Sequence, residues 1–217
     1  MSTTAKLREE ASNIWERIRV HPFVVELYSG TLPLEKFKYY LLQDFNYLVG
    51  FAKALATAAL KAPDLGGMKL ALELAHGEVT GELANYEALL AELGLGLGDA
   101  ASARPNPTNV AYMNFLTSTC LLGSFAQCLA ALLPCFWTYL EIAEVHKERL
   151  ERNNVAVYKK WASLYLSPEY RSLVDRLRIA LDQSGASPGE LEGPFIAASL
   201  YELMFWEAAY RGEQWPA

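Results

Sequence analysis

Two carboxylates interrupt otherwise apolar helical patterns in this sequence. Asp44 lies between Leu41 and Leu48 on a stripe with i, i+3 and i+4 spacing, and Glu202 lies in the middle of a second such stripe near the C-terminus. A carboxylate on a core-facing stripe is costly unless it is paired or belongs to a site. An inward acid can simply cap or pair with a neighbouring helix. If burial raises the pKa of one of the two, that group can instead act as a general acid.

A cysteine is the third residue that could carry chemistry. Cys135 directly follows Pro134, and a proline removes a backbone hydrogen bond and opens the helical turn around it. A free cysteine more often packs inertly in a core, but a thiolate in a cavity is a nucleophile. Cys120, Cys128 and Cys135, if they lie on one helix, are too far apart for a disulfide. We therefore expect free thiols, as in a reducing compartment.

Aromatic side chains fall within one or two helical turns of these three residues. Such stripes usually form core, but several buried tyrosines need partners for their hydroxyl groups. The functional alternative is a slot for a planar, hydrogen-bonding heterocycle. The aromatic residues concerned are Tyr47, Phe51, Tyr112, Phe136, Tyr139, Phe205 and Trp206.

The elements that must position these residues are predicted to be helices throughout. Caps and helix breakers are frequent, and no segment alternates convincingly with period two. Residues 94–107 are rich in Gly, Pro and Ser and are predicted to be a loop. We expect one all-α domain over residues 1–217, a bundle of seven or eight helices. The expected helices cover about residues 5–20, 22–30, 33–62, 65–93, 108–152, 154–166, 168–183 and 188–211.

The segment from Pro105 to Leu140 contains no charged residue and no histidine. A membrane span is the first alternative for such a run, but polar side chains and Pro134 interrupt it, and no cluster of basic residues marks one end. We predict a buried central helix, interrupted at Pro134 and then continuing to about Arg152. Charged residues near the N-terminus stand where a signal peptide needs its apolar run, so we expect a cytoplasmic protein with no membrane partner.

Charge and histidine patterns limit the other function classes. The net charge of −6 and the lack of a basic block argue against a nucleic-acid partner. Glu73-x-x-His76 resembles one half of a di-iron site, but such sites need a second copy, and none is present. His21 precedes Pro22 and is typical of a turn. His146 lies among charged residues and is predicted to face solvent.

Four segments together give the chain a resemblance to the TenA family, the thiaminase II group of the haem-oxygenase-like all-α fold. They extend over nearly the whole sequence, and the third and fourth are fairly specific in combination. The segments are Gln43-Asp44-Phe45-Asn46-Tyr47, Ala111-Tyr112-Met113-Asn114, Pro134-Cys135-x-x-x-Tyr139 and Glu202-x-x-Phe205-Trp206. Ala162 and Ser163 depart from the family pattern after Trp161.

The resemblance implies hydrolysis of 5-substituted 4-amino-2-methylpyrimidines to hydroxymethyl pyrimidine in thiamin salvage. The substrates in the family are the aminomethyl pyrimidine and, in some members, thiamin itself. It implies Cys135 as the nucleophile, Glu202 as the acid/base and Asp44 as the group that holds the amino and ring nitrogens. It also implies a homotetramer and no metal or organic cofactor. The residues implied to line the pocket are Tyr47, Tyr112, Tyr139, Phe205 and Tyr165.

Two other functions remain open at this point. One is a non-hydrolytic oxidase or di-iron enzyme on the same fold, which loss of activity on mutation of Glu73 or His76 would favour. The other is a pyrimidine-binding regulatory protein, which binding without turnover would favour.

Overall fold

The computed structural model describes residues 1–216, and at residues 82–84 it describes the backbone alone. The described chain is helical and contains no strand, which confirms the all-α class. The helices are α1 (Thr3–Glu10), α2 (Ser12–Arg19), α3 (Pro22–Ser29), α4 (Leu34–Lys61), α5 (Leu65–Gly77), a π-helical turn (Glu78–Glu82), α6 (Leu83–Glu92), α7 (Leu97–Ser102), α8 (Pro107–Leu122), α9 (Phe125–Val145), α10 (Lys147–Glu151), α11 (Ala156–Leu164), α12 (Pro168–Asp182) and α13 (Pro188–Arg211).

The described helices outnumber the seven or eight expected because several predicted helices are divided. The first is divided at Ala11, whose ψ of 1° leaves the helical region. The π-helical turn interrupts the predicted helix 65–93, and His146 separates α9 from α10. The predicted loop 94–107 contains the short helix α7, because the side chain of Asp99 accepts a hydrogen bond from Gly96 N at 2.8 Å and caps its start.

The uncharged segment breaks at Gly123 and not at Pro134, so this part of the prediction is wrong. Gln127 Oε1 accepts from Ser124 N at 2.9 Å, and Ser124 Oγ accepts from Gln127 N at 3.3 Å. This reciprocal pair is a capping box, which begins a new helix and satisfies its exposed donors. Pro134 lies inside α9, where a single missing hydrogen bond is tolerated by the packed helix.

This break changes the geometry of the cysteines. Cys120 lies on α8 and Cys128 on α9, and Cys128 Sγ lies 3.6 Å from the carbonyl oxygen of Cys120. The distance argument for one continuous helix is therefore wrong for this pair. All three cysteines are nevertheless free thiols, as expected.

The chain divides into two compact units. Unit 1 comprises Met1–Leu32 and Leu129–Glu207, and unit 2 comprises Pro33–Cys128 and the segment from Ala208 onward. In unit 1, the indole of Trp15 stacks on Phe195 with ring centroids 5.9 Å apart and donates a hydrogen bond to Ser199 Oγ at 2.9 Å. In unit 2, α4 packs against α5 and α8.

Among the residues that the structure describes, one helix has the length and hydropathy of a membrane span. This is α9, and 72% of its most apolar window is buried within the protein. An apolar helix that is mostly buried is typical of a protein core.

Candidate active site

Asp44 is buried on α4 in unit 2, with 4% of its surface exposed. Tyr40, one turn earlier on the same helix, donates its hydroxyl proton to Asp44 Oδ2 at 2.9 Å. Tyr86 on α6 donates to the same oxygen. The carboxylate therefore has two phenol donors, which favour its ionised form.

Two of the expected pocket tyrosines contact each other in unit 2. The rings of Tyr47 on α4 and Tyr112 on α8 have centroids 5.0 Å apart, and Tyr47 also stacks on Phe51 at 5.4 Å. The helices approach closely here, because a Cβ at Gly50 would lie 2.6 Å from Met113 Sδ. Glycine at this position lets the two tyrosines meet.

Cys135 lies on α9 in unit 1 and is the one cysteine of the three that is partly exposed. Cys120 and Cys128 in unit 2 are fully buried. Their mutual hydrogen bond, together with burial, raises the pKa of the Cys120 thiol. Of the three thiols, accessibility therefore favours Cys135 as the nucleophile.

An aromatic cluster lies one turn beyond Cys135 in unit 1. Tyr139 has its ring centroid 4.9 Å from that of Tyr165 and 5.3 Å from that of Trp206. Trp161 packs against Tyr139 at 6.0 Å and against Tyr165 at 4.9 Å. Two of the residues expected in the pocket, Tyr139 and Tyr165, are thus in direct contact.

Glu202 is buried on α13 in unit 1, with 2% of its surface exposed. It lies one helical turn before Trp206, as Cys135 lies one turn before Tyr139 on α9. Phe205 on the same helix is buried as well. The contact between Tyr139 and Trp206 therefore joins the helices that carry Cys135 and Glu202.

His21 and His146 have defined hydrogen-bond partners in unit 1. His21 caps α3 by accepting a hydrogen bond from Phe23 N at its Nδ1, and its Nε2 lies 2.9 Å from Glu207 Oε2. His146 is buried, and its Nε2 donates to the carbonyl oxygen of Arg19 at 2.8 Å. The prediction that His146 faces solvent is therefore wrong, because its ring packs against Tyr28, with ring centroids 5.4 Å apart.

The di-iron alternative does not fit the described residues. Glu73 and His76 on α5 are exposed, and Glu73 forms an ion pair with Lys69 at 3.7 Å. Among the side chains that the structure describes, in residues 1–81 and 85–216, no group of three or more His, Cys, Asp or Glu residues could hold a metal ion. A di-iron site needs such side chains on inward faces.

Sequence reasoning missed three buried residues near Asp44 or on its neighbouring elements. Tyr40 precedes Asp44 by four residues, so its contact could have been inferred from helical spacing. Tyr86 and the buried carboxylate Glu78 lie on α6 and on the π-helical turn. No local signal marks these two, since their positions depend on how that segment packs against α4.

The chain resembles known proteins over nearly its full length. A model of the TENA/THI-4/PQQC family matches residues 8–212. The aminopyrimidine aminohydrolase of Halalkalibacterium halodurans is 33% identical over 220 residues, which cover 99% of this chain and 98% of that protein. The structure of a TenA homologue protein from P. horikoshii OT3 is 52% identical, with a TM-score of 0.95, and the match covers 98% of this chain and 100% of that one.

A more distant structure supports the fold alone. A domain from Shewanella denitrificans with a heme oxygenase-like fold has a TM-score of 0.80 at 15% identity, over 96% of this chain and 92% of that one. It confirms the haem-oxygenase-like architecture expected from the sequence. The family match and the full-length similarity together show that the chain belongs to the TENA/THI-4/PQQC family.

Proposed function

We propose that this chain is an aminopyrimidine aminohydrolase, or thiaminase II, that acts in thiamin salvage. Its substrates are 5-substituted 4-amino-2-methylpyrimidines, with the aminomethyl pyrimidine as the first candidate and thiamin as the second, and its product is hydroxymethyl pyrimidine. The observation that carries the proposal is the full-length similarity to an aminopyrimidine aminohydrolase. The partly exposed thiol of Cys135, one turn from an aromatic cluster, supports it.

Cys135 is the nucleophile in this proposal. Its thiolate adds to the pyrimidine ring, and the ring electrons expel the amine from the exocyclic methylene group. Water then adds to that methylene carbon, and the thiolate leaves as the ring regains its aromaticity. The net reaction consumes one water and releases ammonia from the aminomethyl substrate. A thiolate is suited to this step because it is both a strong nucleophile and a good leaving group.

Glu202 and Asp44 divide the acid and anchoring roles. Glu202 delivers a proton to the departing amine and removes one from the attacking water. Asp44 accepts hydrogen bonds from the amino group and ring nitrogen edge of the pyrimidine, which its two phenol donors prepare it to do as an anion. The planar ring is bound by the aromatic side chains of Tyr47, Tyr112, Tyr139, Tyr165 and Phe205.

The proposal also includes the cellular location and the oligomeric state of the enzyme. Three free cysteines support a cytoplasmic location, because thiols persist in a reducing compartment. Large exposed leucines support a homotetramer, since apolar surface of this kind marks protein contacts. Leu60 at the end of α4 is 82% exposed, Leu65 at the start of α5 is 79% exposed, and Leu122 at the end of α8 is 87% exposed.

The deciding experiment compares turnover of aminomethyl pyrimidine and thiamin by the wild type, Cys135→Ser and the matched control Cys128→Ser. We expect Cys135→Ser to lose activity by on the order of a thousandfold or more, because serine is a far weaker nucleophile, while product binding persists. Cys128→Ser should keep its activity, since that thiol is buried against Cys120.

Three outcomes would contradict the proposal. Full activity of Cys135→Ser would exclude covalent catalysis by this thiol. Equal losses in both variants would show that the effect is structural. Binding of pyrimidine by the wild type without any turnover would favour a regulatory protein.

A further inference from the structure

The carboxylate of Asp44 receives both of its described hydrogen bonds at one oxygen atom. Tyr40 and Tyr86 each donate a phenol proton to Asp44 Oδ2, the former at 2.9 Å. Tyr40 is fully buried, and Tyr86 and Asp44 are 2% and 4% exposed. We refer to Tyr40, Asp44 and Tyr86 as the phenol clamp.

Two helices build the phenol clamp in unit 2. Tyr40 and Asp44 share one face of α4 at i, i+4 spacing. Tyr86 reaches the same oxygen from α6, directly after the π-helical turn Glu78–Glu82. A π-helical turn contains one residue more than an α-helical turn, so it rotates the residues that follow. This rotation places Tyr86 on the same buried face as Leu74 and Glu78. Helix α4 packs against α5, the π-helical turn and α6.

Two O–H donors at one oxygen constrain the chemistry of the group. A carboxyl oxygen that accepts two hydrogen bonds is poorly placed to carry a proton itself, and both bonds favour the ionised form. They also hold the carboxylate in one orientation, because a rotated Asp44 would lose both of these bonds. The clamp thus makes Asp44 an oriented acceptor.

We propose that Tyr40 and Tyr86 are positioning residues that set the preference of this enzyme for pyrimidines with an amino group at position 4. This inference rests on the proposed function. A 4-amino group donates N–H to an oriented carboxylate, whereas a substituent without a donor adds no hydrogen bond to it. Without the phenols, Asp44 is no longer held in one orientation. It then discriminates less between a pyrimidine with a 4-amino group and one whose substituent has no donor.

The experiment measures binding of two probes by titration calorimetry. One is 4-amino-5-hydroxymethyl-2-methylpyrimidine, and the other is its counterpart in which a methyl group replaces the 4-amino group. We expect Tyr40→Phe and Tyr86→Phe each to reduce the preference for the amino probe about tenfold, the effect of losing one hydrogen bond to a charged group. In turnover of aminomethyl pyrimidine, KM should rise more than kcat falls.

Two further variants separate positioning from general stability. Tyr158→Phe is the matched control, because Tyr158 is buried and donates to the carbonyl oxygen of Leu32 at 2.7 Å. It should lower the thermal midpoint but leave the probe preference unchanged. Asp44→Ala should abolish the preference, and adding Tyr40→Phe or Tyr86→Phe to it should then change nothing further. Asp44→Asn serves the same purpose if the alanine variant does not fold.

The outcomes distinguish this inference from the proposed function. A wild type that neither binds nor hydrolyses the amino compounds would overturn both. An active wild type whose Tyr40→Phe and Tyr86→Phe variants keep the full probe preference would overturn the positioning role alone. The positioning role would also be overturned if Tyr158→Phe loses as much probe preference as Tyr40→Phe and Tyr86→Phe do.

Discussion

Buried polar side chains are accommodated here where a second helix supplies their partners. Asn153 Nδ2 donates to the carbonyl oxygen of Leu27 at 2.8 Å, and Trp15 and Tyr158 have comparable acceptors on other segments. An unpaired group at such a position costs about 1–3 kcal/mol. The phenols of Tyr40 and Tyr86 supply hydrogen bonds to Asp44 in this way, so the carboxylate can be buried before any substrate binds.

His146 predicts how stability depends on pH. Burial lowers the pKa of its imidazole below the ordinary 6.5, and the nearby cations of Arg149 and Arg19 act in the same direction. Within the described residues its Nδ1 has no hydrogen-bond partner, so a second proton there would be buried without an acceptor. The folded state therefore prefers the neutral ring. Its contribution to stability is complete above about pH 6.5, the pKa of the unfolded state, and is lost as the pH falls from there through the lower pKa of the folded state.

Urea unfolding of the wild type and His146→Gln at about pH 7.5 and about pH 5.5 checks this sign. The free energy of unfolding should fall more steeply with acidification in the wild type than in the variant. His21 also has a pKa lowered by burial, so the variant should retain part of the dependence. An equally steep fall in both proteins would exclude a contribution from His146.

At the scale of elements, two helix-breaking signals compete within the uncharged segment. Pro134 removes one hydrogen bond, whereas Gly123 to Gln127 provides a complete helix stop and start. The backbone NH of Gly123 donates to the carbonyl oxygen of Thr119 at 2.8 Å and ends α8. The glycine is needed for space, because a Cβ at this position would lie 2.7 Å from that same oxygen.

Gly123→Ala should therefore destabilise the turn between α8 and α9. We expect a loss of about 1–3 kcal/mol in the free energy of unfolding, the usual cost of forcing an extra carbon into a tight site. Gly98→Ala is the matched control, since a Cβ there meets no atom within 4 Å. Thermal unfolding followed by circular dichroism measures both, and equal midpoints for the two variants would contradict the steric argument.

At the scale of the molecule, the boundaries between the two units fall inside helices. One boundary, at Cys128, lies within α9, and another, at Glu207, lies within α13. A domain boundary ordinarily lies in an exposed linker where few contacts cross. The family match over residues 8–212 also spans both units. One domain over residues 1–217 stays a prediction from the sequence.

One domain predicts one cooperative unfolding transition. Scanning calorimetry should give a single peak whose calorimetric and van't Hoff enthalpies agree. The prediction rests on the sequence, which contains no linker long enough to divide domains. Two separate transitions would contradict the single-domain prediction. Since oligomers can alter the shape of the peak, the scan is repeated at several protein concentrations.

The sequence by itself determined the features that depend on neighbours along the chain. Periodicity and caps predicted α4 and α13 within one residue, and the apolar stripes placed Asp44 and Glu202 inward, where the structure buries both. A helical face and a cap are set by residues three or four positions apart, and such patterns are visible in the sequence.

Only the tertiary structure decided which distant residues meet. It brought Tyr86 to Asp44 across 42 positions and buried His146, which stands in a charged stretch of sequence. These contacts depend on where helices break and how their faces pack. The capping box at Ser124 begins a new helix after α8, and the π-helical turn at residues 78–82 rotates the residues of α6 that follow it. Packing energy, and not local propensity, chooses among such alternatives, so no short sequence pattern records the result.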